Sequence, residues 1–104
     1  MKLEGGEVEA KEIEVGVVTD FFRKVGVAAI KVYPGRRLKL GDRIIIRGPH
    51  TQIEQTVDSL EINHQPVTEA GGGAEVGLLV NLEATEEWPP NIPRKGNKVY
   101  KLEE

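Results

Sequence analysis

The stretch that decides the fold is Gly35-Arg36-Arg37-Leu38-Lys39-Leu40-Gly41-Asp42-Arg43-Ile44-Ile45-Ile46. It reads as a short strand, a tight turn and a second strand. Gly41 can adopt the positive φ that a tight turn requires, and Asp42 can close the turn with its side chain. The three consecutive isoleucines favour an extended strand buried in a core. This stretch therefore predicts two strands that meet at a Gly-Asp turn.

The segments on either side alternate between β-branched or aromatic runs and turn residues. No segment has the apolar spacing of an amphipathic helix. Because short strands separated by Gly and Pro turns are typical of small all-β folds, we predict a small closed antiparallel β-barrel of about six or seven strands. The predicted strands span residues 15–22, 25–33, 43–47, 53–62, 67–70, 75–82 and 98–102, and a change of parity between Val57 and Leu60 predicts a bulge. The predicted core consists of Val17, Val27, Ile30, Leu40, Ile44, Ile46, Val57, Leu60, Val76, Leu78 and Val99.

Length and composition limit the class of protein. A chain of 104 residues suits one small domain, and the absence of Cys excludes disulfides, thiol catalysis and thiolate metal sites. No apolar run approaches the roughly 18 residues of a membrane span, and the acidic N-terminus is unlike a signal peptide. We expect a cytoplasmic, heat-adapted protein. It would consist of an acidic N-terminal extension over residues 1–14 and one barrel domain over 15–102, with a Pro-rich loop inserted at 84–93.

The net charge of -3 hides an asymmetry along the chain. Residues 23–47 contain eight basic residues and one acid, Asp42, which gives +7 and leaves -10 for the remainder. A basic segment in an acidic chain indicates an anionic partner at one face. The alternative is that the acidic ends fold back and pair with the basic segment. The sequence leaves both interpretations open.

Several motifs follow one another in a characteristic order. They are Val15-Gly16-Val17-Val18, Gly26-Val27-Ala28, Leu38-Lys39-Leu40-Gly41-Asp42-Arg43-Ile44, Gln55-Thr56-Val57-Asp58-Ser59-Leu60, Val67-Thr68-Glu69-Ala70 with Val76-Gly77-Leu78, and Arg94-Lys95-Gly96-Asn97-Lys98-Val99. Together they resemble the second, β-barrel domain of translation GTPases of the elongation factor Tu and initiation factor type. The chain is also similar to the barrel appended to collagenase-like peptidases that act on RNA hydroxylation, a subgroup that Asn63-His64-Gln65-Pro66 resembles in particular.

This resemblance implies a barrel of the reductase, isomerase and elongation-factor common-domain type, which contacts tRNA ends or ribosomal RNA. The chain has no Gly-x-x-x-x-Gly-Lys-Ser/Thr loop, so we expect no GTP binding by this chain. It also departs from the family pattern at two turns. Ala74 stands at the usual aspartate of the second Gly-Asp turn, and Asn97 stands at that of the third.

The candidate RNA-binding residues are the cations near the predicted strand ends. Clustered cations neutralise phosphates and give affinity with little reading of bases. One of Phe21 and Phe22 should face outward, either to stack on a base or to form a hydrophobic rim. Alternatively, these cations bind no partner and form a solvated surface that keeps the protein soluble. The candidate set comprises Arg23, Lys24, Arg36, Arg37, Lys39 and Arg47.

The candidate protein-contact site is Trp88 with Pro89 and Pro90. A Trp held beside prolines presents a large ring at low entropic cost, which suits an interface anchor. The alternative is that Trp88 plugs one end of the barrel, because a fully exposed Trp on a small monomer is uncommon.

The sequence shows no convincing catalytic or metal-binding constellation. His50 and His64 are isolated, and a metal site needs more converging ligands. Asp58 and Ser59 are neighbours on one predicted strand, so their side chains point to opposite faces and do not form a triad with His64. We therefore expect a protein that is not an enzyme and uses no cofactor and no metal.

Two functions compete. The leading one is a non-catalytic module that contacts RNA or a ribonucleoprotein, such as tRNA or rRNA, through a basic hairpin face. The alternative is an accessory domain that docks onto a separately encoded enzyme through the Trp88 loop. Salt separates the two, because phosphate contacts weaken steeply with salt and an apolar interface does not. A third reading is an evolutionary remnant that merely folds.

Overall fold

The computed structural model describes residues 11–82 and 89–103, and within these ranges the chain forms strands and turns. The all-β prediction is therefore confirmed. No helix in the described ranges is long and apolar enough to cross a membrane. The strands are β1 (Lys11–Phe22), β2 (Val27–Val32), β3 (Arg37–Lys39), β4 (Arg43–Gly48), β5 (Thr51–Thr56), β6 (Glu61–Ile62), β7 (Gln65–Pro66), β8 (Glu69–Gly71), β9 (Glu75–Leu79) and β10 (Lys98–Glu103).

The strands form two antiparallel sheets. One is eight-stranded with the order β5-β4-β10-β1-β2-β9-β6-β7, and the other pairs β3 with β8. The prediction of a closed barrel is wrong, because β5 and β7 end the large sheet and no backbone ladder joins them. Residues 11–14 pair with β10 as the first part of β1.

Side chains bridge the gap between the edge strand β5 and the chain that leaves β9. The buried Gln55 donates from Nε2 to the carbonyl oxygen of Leu79 at 2.9 Å and accepts from the amide of Asn81 at 2.7 Å. The Ser59 hydroxyl accepts from the amide of Leu79 at 3.3 Å. Side-chain hydrogen bonds, rather than a backbone ladder, thus join the β5 segment to the end of β9.

The predicted Gly-Asp turn is confirmed. Gly41 has a φ of 91°, and Asp42 accepts a hydrogen bond from the backbone amide of Lys39 at 2.9 Å. The amide of Val57 donates to the carbonyl oxygen of Asp42 at 2.8 Å, and the amide of Gly41 donates to that of Val57 at 2.9 Å. Because Val57 pairs with this turn, β5 ends at Thr56, and the predicted long strand 53–62 is interrupted where a bulge was expected.

The core prediction is confirmed at eight positions and wrong at three. Val17 is half-buried because β1 shifts register between Glu14 and Gly16 and again between Val18 and Asp20. Val27 is half-buried because the residues of β2 that face the core are the alternate ones, Ala28, Ile30 and Val32. Leu40 is 40% exposed, because β3 ends at Lys39 and the turn carries Leu40 outward. The confirmed core residues are Ile30, Ile44, Ile46, Val57, Leu60, Val76, Leu78 and Val99.

Candidate functional site

The candidate RNA-binding cations do not share one patch. Arg23 and Lys24 lie in the turn between β1 and β2, and Arg36 and Arg37 lie beyond the other end of β2. The five residue steps from Val27 to Val32 span about 17 Å at the usual rise of a strand. The two pairs therefore lie at opposite ends of this strand.

Carboxylates pair with several of these cations. Arg37 forms an ion pair with Glu69 at 3.1 Å, and Arg47 binds both carboxylate oxygens of Glu12 at 2.9 and 3.1 Å. Arg47 also lies over the ring of Tyr100, 5.0 Å from its centroid. The hydrogen bond from Arg47 lowers the pKa of Glu12 from its ordinary value. Since Glu12 belongs to the acidic start of the chain, the fold-back alternative holds at this pair.

A second polar cluster joins β1, β10 and the residue that follows β2. The hydroxyl of Tyr33 donates to Glu14 at 2.6 Å, and the ammonium of Lys98 lies 3.5 Å from the same carboxylate oxygen. The hydrogen bond from Tyr33 lowers the pKa of Glu14, and the same bond raises the pKa of Tyr33. Arg36 donates to the backbone carbonyl of Glu14 at 3.2 Å. These contacts tie the basic turn after β2 to β1 and leave fewer donors for phosphates.

An apolar trough lies at the other end of β2. Its cavity volume is about 940 Å³, and Val27 and Ala29 on β2 and Gly77 on β9 contribute to its lining. Val25 and Phe22 at the β1–β2 turn are 64% and 51% exposed, and the neighbouring Leu79 is 44% exposed. The remaining lining residues are Lys24, Glu61, Ile62, Asn63, His64, Glu75 and Val76.

The hairpin between β6 and β7 supplies one wall of the trough. Asn63 and His64 both have positive φ, 52° and 63°, which is the pattern of a two-residue type I′ turn. Asn tolerates this region well, whereas the second position of such turns favours Gly. His64 is thus held in an unfavoured conformation at the edge of the trough. Non-glycine residues in such conformations cluster at functional sites.

A polar groove follows the edge strand β5. The side chain of Asn91 occupies part of this edge, because it accepts from the amide of Gln52 at 2.8 Å and donates to the Gln52 carbonyl at 2.9 Å. Thr51 donates to the carbonyl oxygen of Ile92 at 2.8 Å. These contacts cover an edge that would otherwise attract another strand.

The remaining sequence candidates are distributed as follows. Within the described ranges no group of three or more His, Asp or Glu side chains is arranged to hold a metal ion. The hydroxyl of Ser59 accepts a hydrogen bond from the backbone amide of Leu79. Trp88 lies outside the described residues, whereas Pro89 is exposed and Pro90 accepts a hydrogen bond from Arg94 at 2.9 Å. The protein-contact and plug readings of Trp88 both remain predictions.

Known proteins resemble this chain in sequence and in fold. No protein-family model matches the chain. An uncharacterized protease of Methanocaldococcus jannaschii is 36% identical over 104 residues, which is 99% of this chain and 23% of that protein. The chain thus spans about a quarter of the length of this relative.

Two solved structures share the fold. The C-terminal domain of a putative U32 peptidase from Geobacillus thermoleovorans superimposes with a TM-score of 0.67 and 16% identity, over 86% of this chain and 91% of that domain. Its selenomethionine variant superimposes with a TM-score of 0.64 and 17% identity, over 83% of this chain and 95% of that domain. The resemblance to a peptidase-appended domain is supported, and these relatives lend no support to the resemblance to translation factors.

Sequence reasoning missed the apolar trough. The available signal was the hairpin Phe22-Arg23-Lys24-Val25, where apolar residues flank the turn although turn positions are usually polar. Alternation predicts only that one of Phe21 and Phe22 faces outward, and the sequence pattern places Val25 in a strand. The contribution of β6 and the Asn63-His64 turn depends on long-range pairing of β6 with β9, which no local pattern encodes.

Proposed function

We propose that this chain is a non-catalytic accessory domain that docks onto the catalytic domain of a U32-type peptidase, on the same polypeptide or on another. The supporting observation is that nearly the whole chain aligns with about a quarter of a protease. A segment of this size with its own core behaves as a module beside a larger catalytic part. The fold match to peptidase C-terminal domains points the same way.

The distribution of charge favours a protein partner over RNA. A phosphate-binding surface needs several cations that can reach one backbone. Here Arg37 and Arg47 are engaged by Glu69 and Glu12, and Arg23 and Lys24 lie at the far end of β2. The protein-docking alternative therefore replaces RNA contact as the leading function. Trp88, the predicted anchor of that alternative, stays a prediction, and the apolar trough is a further candidate surface among the described residues.

Mixing experiments test this function. The purified chain is combined with a U32-type peptidase of the same organism from which the corresponding domain has been removed, and the complex is sought by size-exclusion chromatography with light scattering. Calorimetry at low and high salt follows. We expect a one-to-one complex whose affinity falls only modestly with salt, because an apolar interface core is insensitive to counterions and phosphate contacts are not.

A parallel titration with total tRNA and ribosomal RNA separates the two functions. We expect weak RNA binding that the variant Arg36→Glu/Arg37→Glu leaves unchanged. Steep salt-dependent RNA binding that this variant abolishes, together with no peptidase complex, would contradict the proposed function.

A further inference from the structure

The apolar trough has the features of a surface that a partner covers. Val25 at 64%, Phe22 at 51% and Leu79 at 44% are three of the most exposed large apolar side chains among the described residues, and they lie around a single turn. Val27 pairs with both Phe22 and Leu79 across the sheet. Phe22, Val27 and Leu79 therefore belong to one outward face. Contiguous exposed apolar side chains rimmed by polar residues mark interaction sites.

The bottom of the trough is shaped by small residues. Ala29 and Gly77 are directly paired between β2 and β9 and face outward, since the residues on either side of each face the core. A Cβ at Gly77 would approach a methyl group of Val27 to 3.3 Å, which is tighter than ordinary contact. These two positions therefore leave a depression that larger residues would fill, and a protruding apolar side chain fits into it.

Charge at the rim specifies the occupant. Lys24 lines the turn end of the trough, and Arg23 precedes it in the same turn. Among the described residues neither forms an ion pair, whereas Arg37, Arg43 and Arg47 each do. Glu75 lies at the opposite end, paired with Lys31 across the strands, and Glu61 lies midway, beside Gly77. From Val27 to Lys31 the distance along β2 is about 13 Å. An occupant with a carboxylate at the turn end finds opposite charge there.

We infer that the trough is the docking surface for an extended segment of the partner that inserts one or two large apolar side chains and places an acidic residue against Arg23 and Lys24. This inference rests on the proposed function and names the surface by which it operates. His64, held at positive φ over the trough, contacts the inserted side chain. Its imidazole gives flat contact area that glycine, the residue favoured at this turn position, lacks.

The inference is tested on the complex with the U32-type peptidase lacking the corresponding domain. Val25→Asp places a charge in the trough at a side chain that is already exposed, so the fold is retained, and we expect affinity to fall at least about tenfold. Lys24→Glu should lower affinity about fivefold by opposing the acidic residue. The matched controls are Leu40→Asp, an exposed leucine elsewhere, and Lys95→Glu, an exposed cation in another turn. Both controls should bind like the unaltered chain.

His64→Gly separates a binding role from a structural one. The substitution relieves the positive φ and should raise the midpoint of thermal unfolding, yet it should weaken the complex about threefold. A stabilised variant that binds as well as the unaltered chain would remove His64 from the site.

Three results are distinguishable. If the trough variants lose affinity for the peptidase and the control variants retain it, the inference is supported. If the unaltered chain binds the peptidase and Val25→Asp binds equally well, the trough is not the interface and the proposed function stands. If the unaltered chain does not bind the peptidase, both fail. Labelled single-stranded RNA that binds the unaltered chain but not the Phe22→Ala and Lys24→Glu variants would then assign the surface to a nucleic acid.

Discussion

The buried side chain of Gln55 offers the sharpest test of how the sheet is held. It is only 3% exposed and connects the edge strand β5 to the chain after β9 through two hydrogen bonds, at 2.9 Å to Leu79 and 2.7 Å to Asn81. Gln55→Ala removes both bonds and leaves the Leu79 carbonyl oxygen and the Asn81 amide without these partners. A net bond contributes about 1 kcal/mol and a buried unsatisfied group costs about 1–3 kcal/mol. We therefore expect the free energy of unfolding to fall by about 2–4 kcal/mol.

The assay is urea unfolding followed by far-UV circular dichroism at neutral pH. Gln52→Ala is the matched control, because Gln52 lies on the same strand with an exposed side chain. Its hydrogen bonds to Asn91 involve only its backbone. Its free energy of unfolding should change by less than about 0.5 kcal/mol. A loss below about 1 kcal/mol for Gln55→Ala, or one equal to that of the control, would refute the role of this side chain in bridging the open sheet.

Gln55→Glu extends the same test. The ionised carboxylate keeps the bond from Asn81 but faces the carbonyl oxygen of Leu79, where the native side chain donates. A buried carboxylate whose second oxygen faces a carbonyl oxygen is unfavourable, whereas its protonated form can donate to that carbonyl again. This variant should therefore be destabilised at neutral pH and recover relative to the unaltered chain as the pH falls.

Three further outcomes follow from the geometry. His64→Gly should raise the free energy of unfolding by about 1 kcal/mol in urea titrations, because it relieves a positive φ; an unchanged or lower value would contradict the strain. Gly72→Ala should lower the free energy of unfolding by about 1–3 kcal/mol, because its Cβ would meet three backbone atoms at 2.7 Å. Gly71→Ala, whose Cβ would have nothing within 4 Å, should be nearly neutral, and equal effects of the two substitutions would be inconsistent with this packing. The hydrogen bonds that lower the pKa values of Glu12 and Glu14 stabilise the fold above their unfolded pKa, and this stabilisation is lost as the pH falls through the lowered values. Thermal midpoints should thus drop in acid, and the double Glu→Gln variant should flatten that profile; an unflattened profile would locate the acid sensitivity elsewhere.

The local elements of this fold are readable from the sequence. The isoleucine strand and the Gly41-Asp42 turn follow directly from residue preferences, and both are observed. A turn at Gly72-Gly73 joins β8 to β9, with Gly73 at a φ of 87°. These features depend on a few consecutive residues, so their chemistry is contained in the sequence that encodes them.

Features set by long-range pairing could not be read in this way. The two register shifts in β1 reverse the expected alternation and leave Val17 half-buried. The sheet is open, and the side chain of Gln55 rather than a backbone ladder joins β5 to the end of β9. The apolar trough combines a β1–β2 turn with a β6–β7 hairpin some 40 residues away in sequence, so it has no local signature. The charge asymmetry was visible, but its pairing with Glu12 and Glu69 depends on the folded arrangement.

Hydrogen–deuterium exchange on the complex with the U32-type peptidase tests docking most directly. The docking proposal predicts slowed exchange over residues 22–29 and 61–64 in the presence of the peptidase, with residues 35–39 unchanged. Protection confined to residues 35–39, or no protection of residues 22–29 in a complex that demonstrably forms, would contradict it.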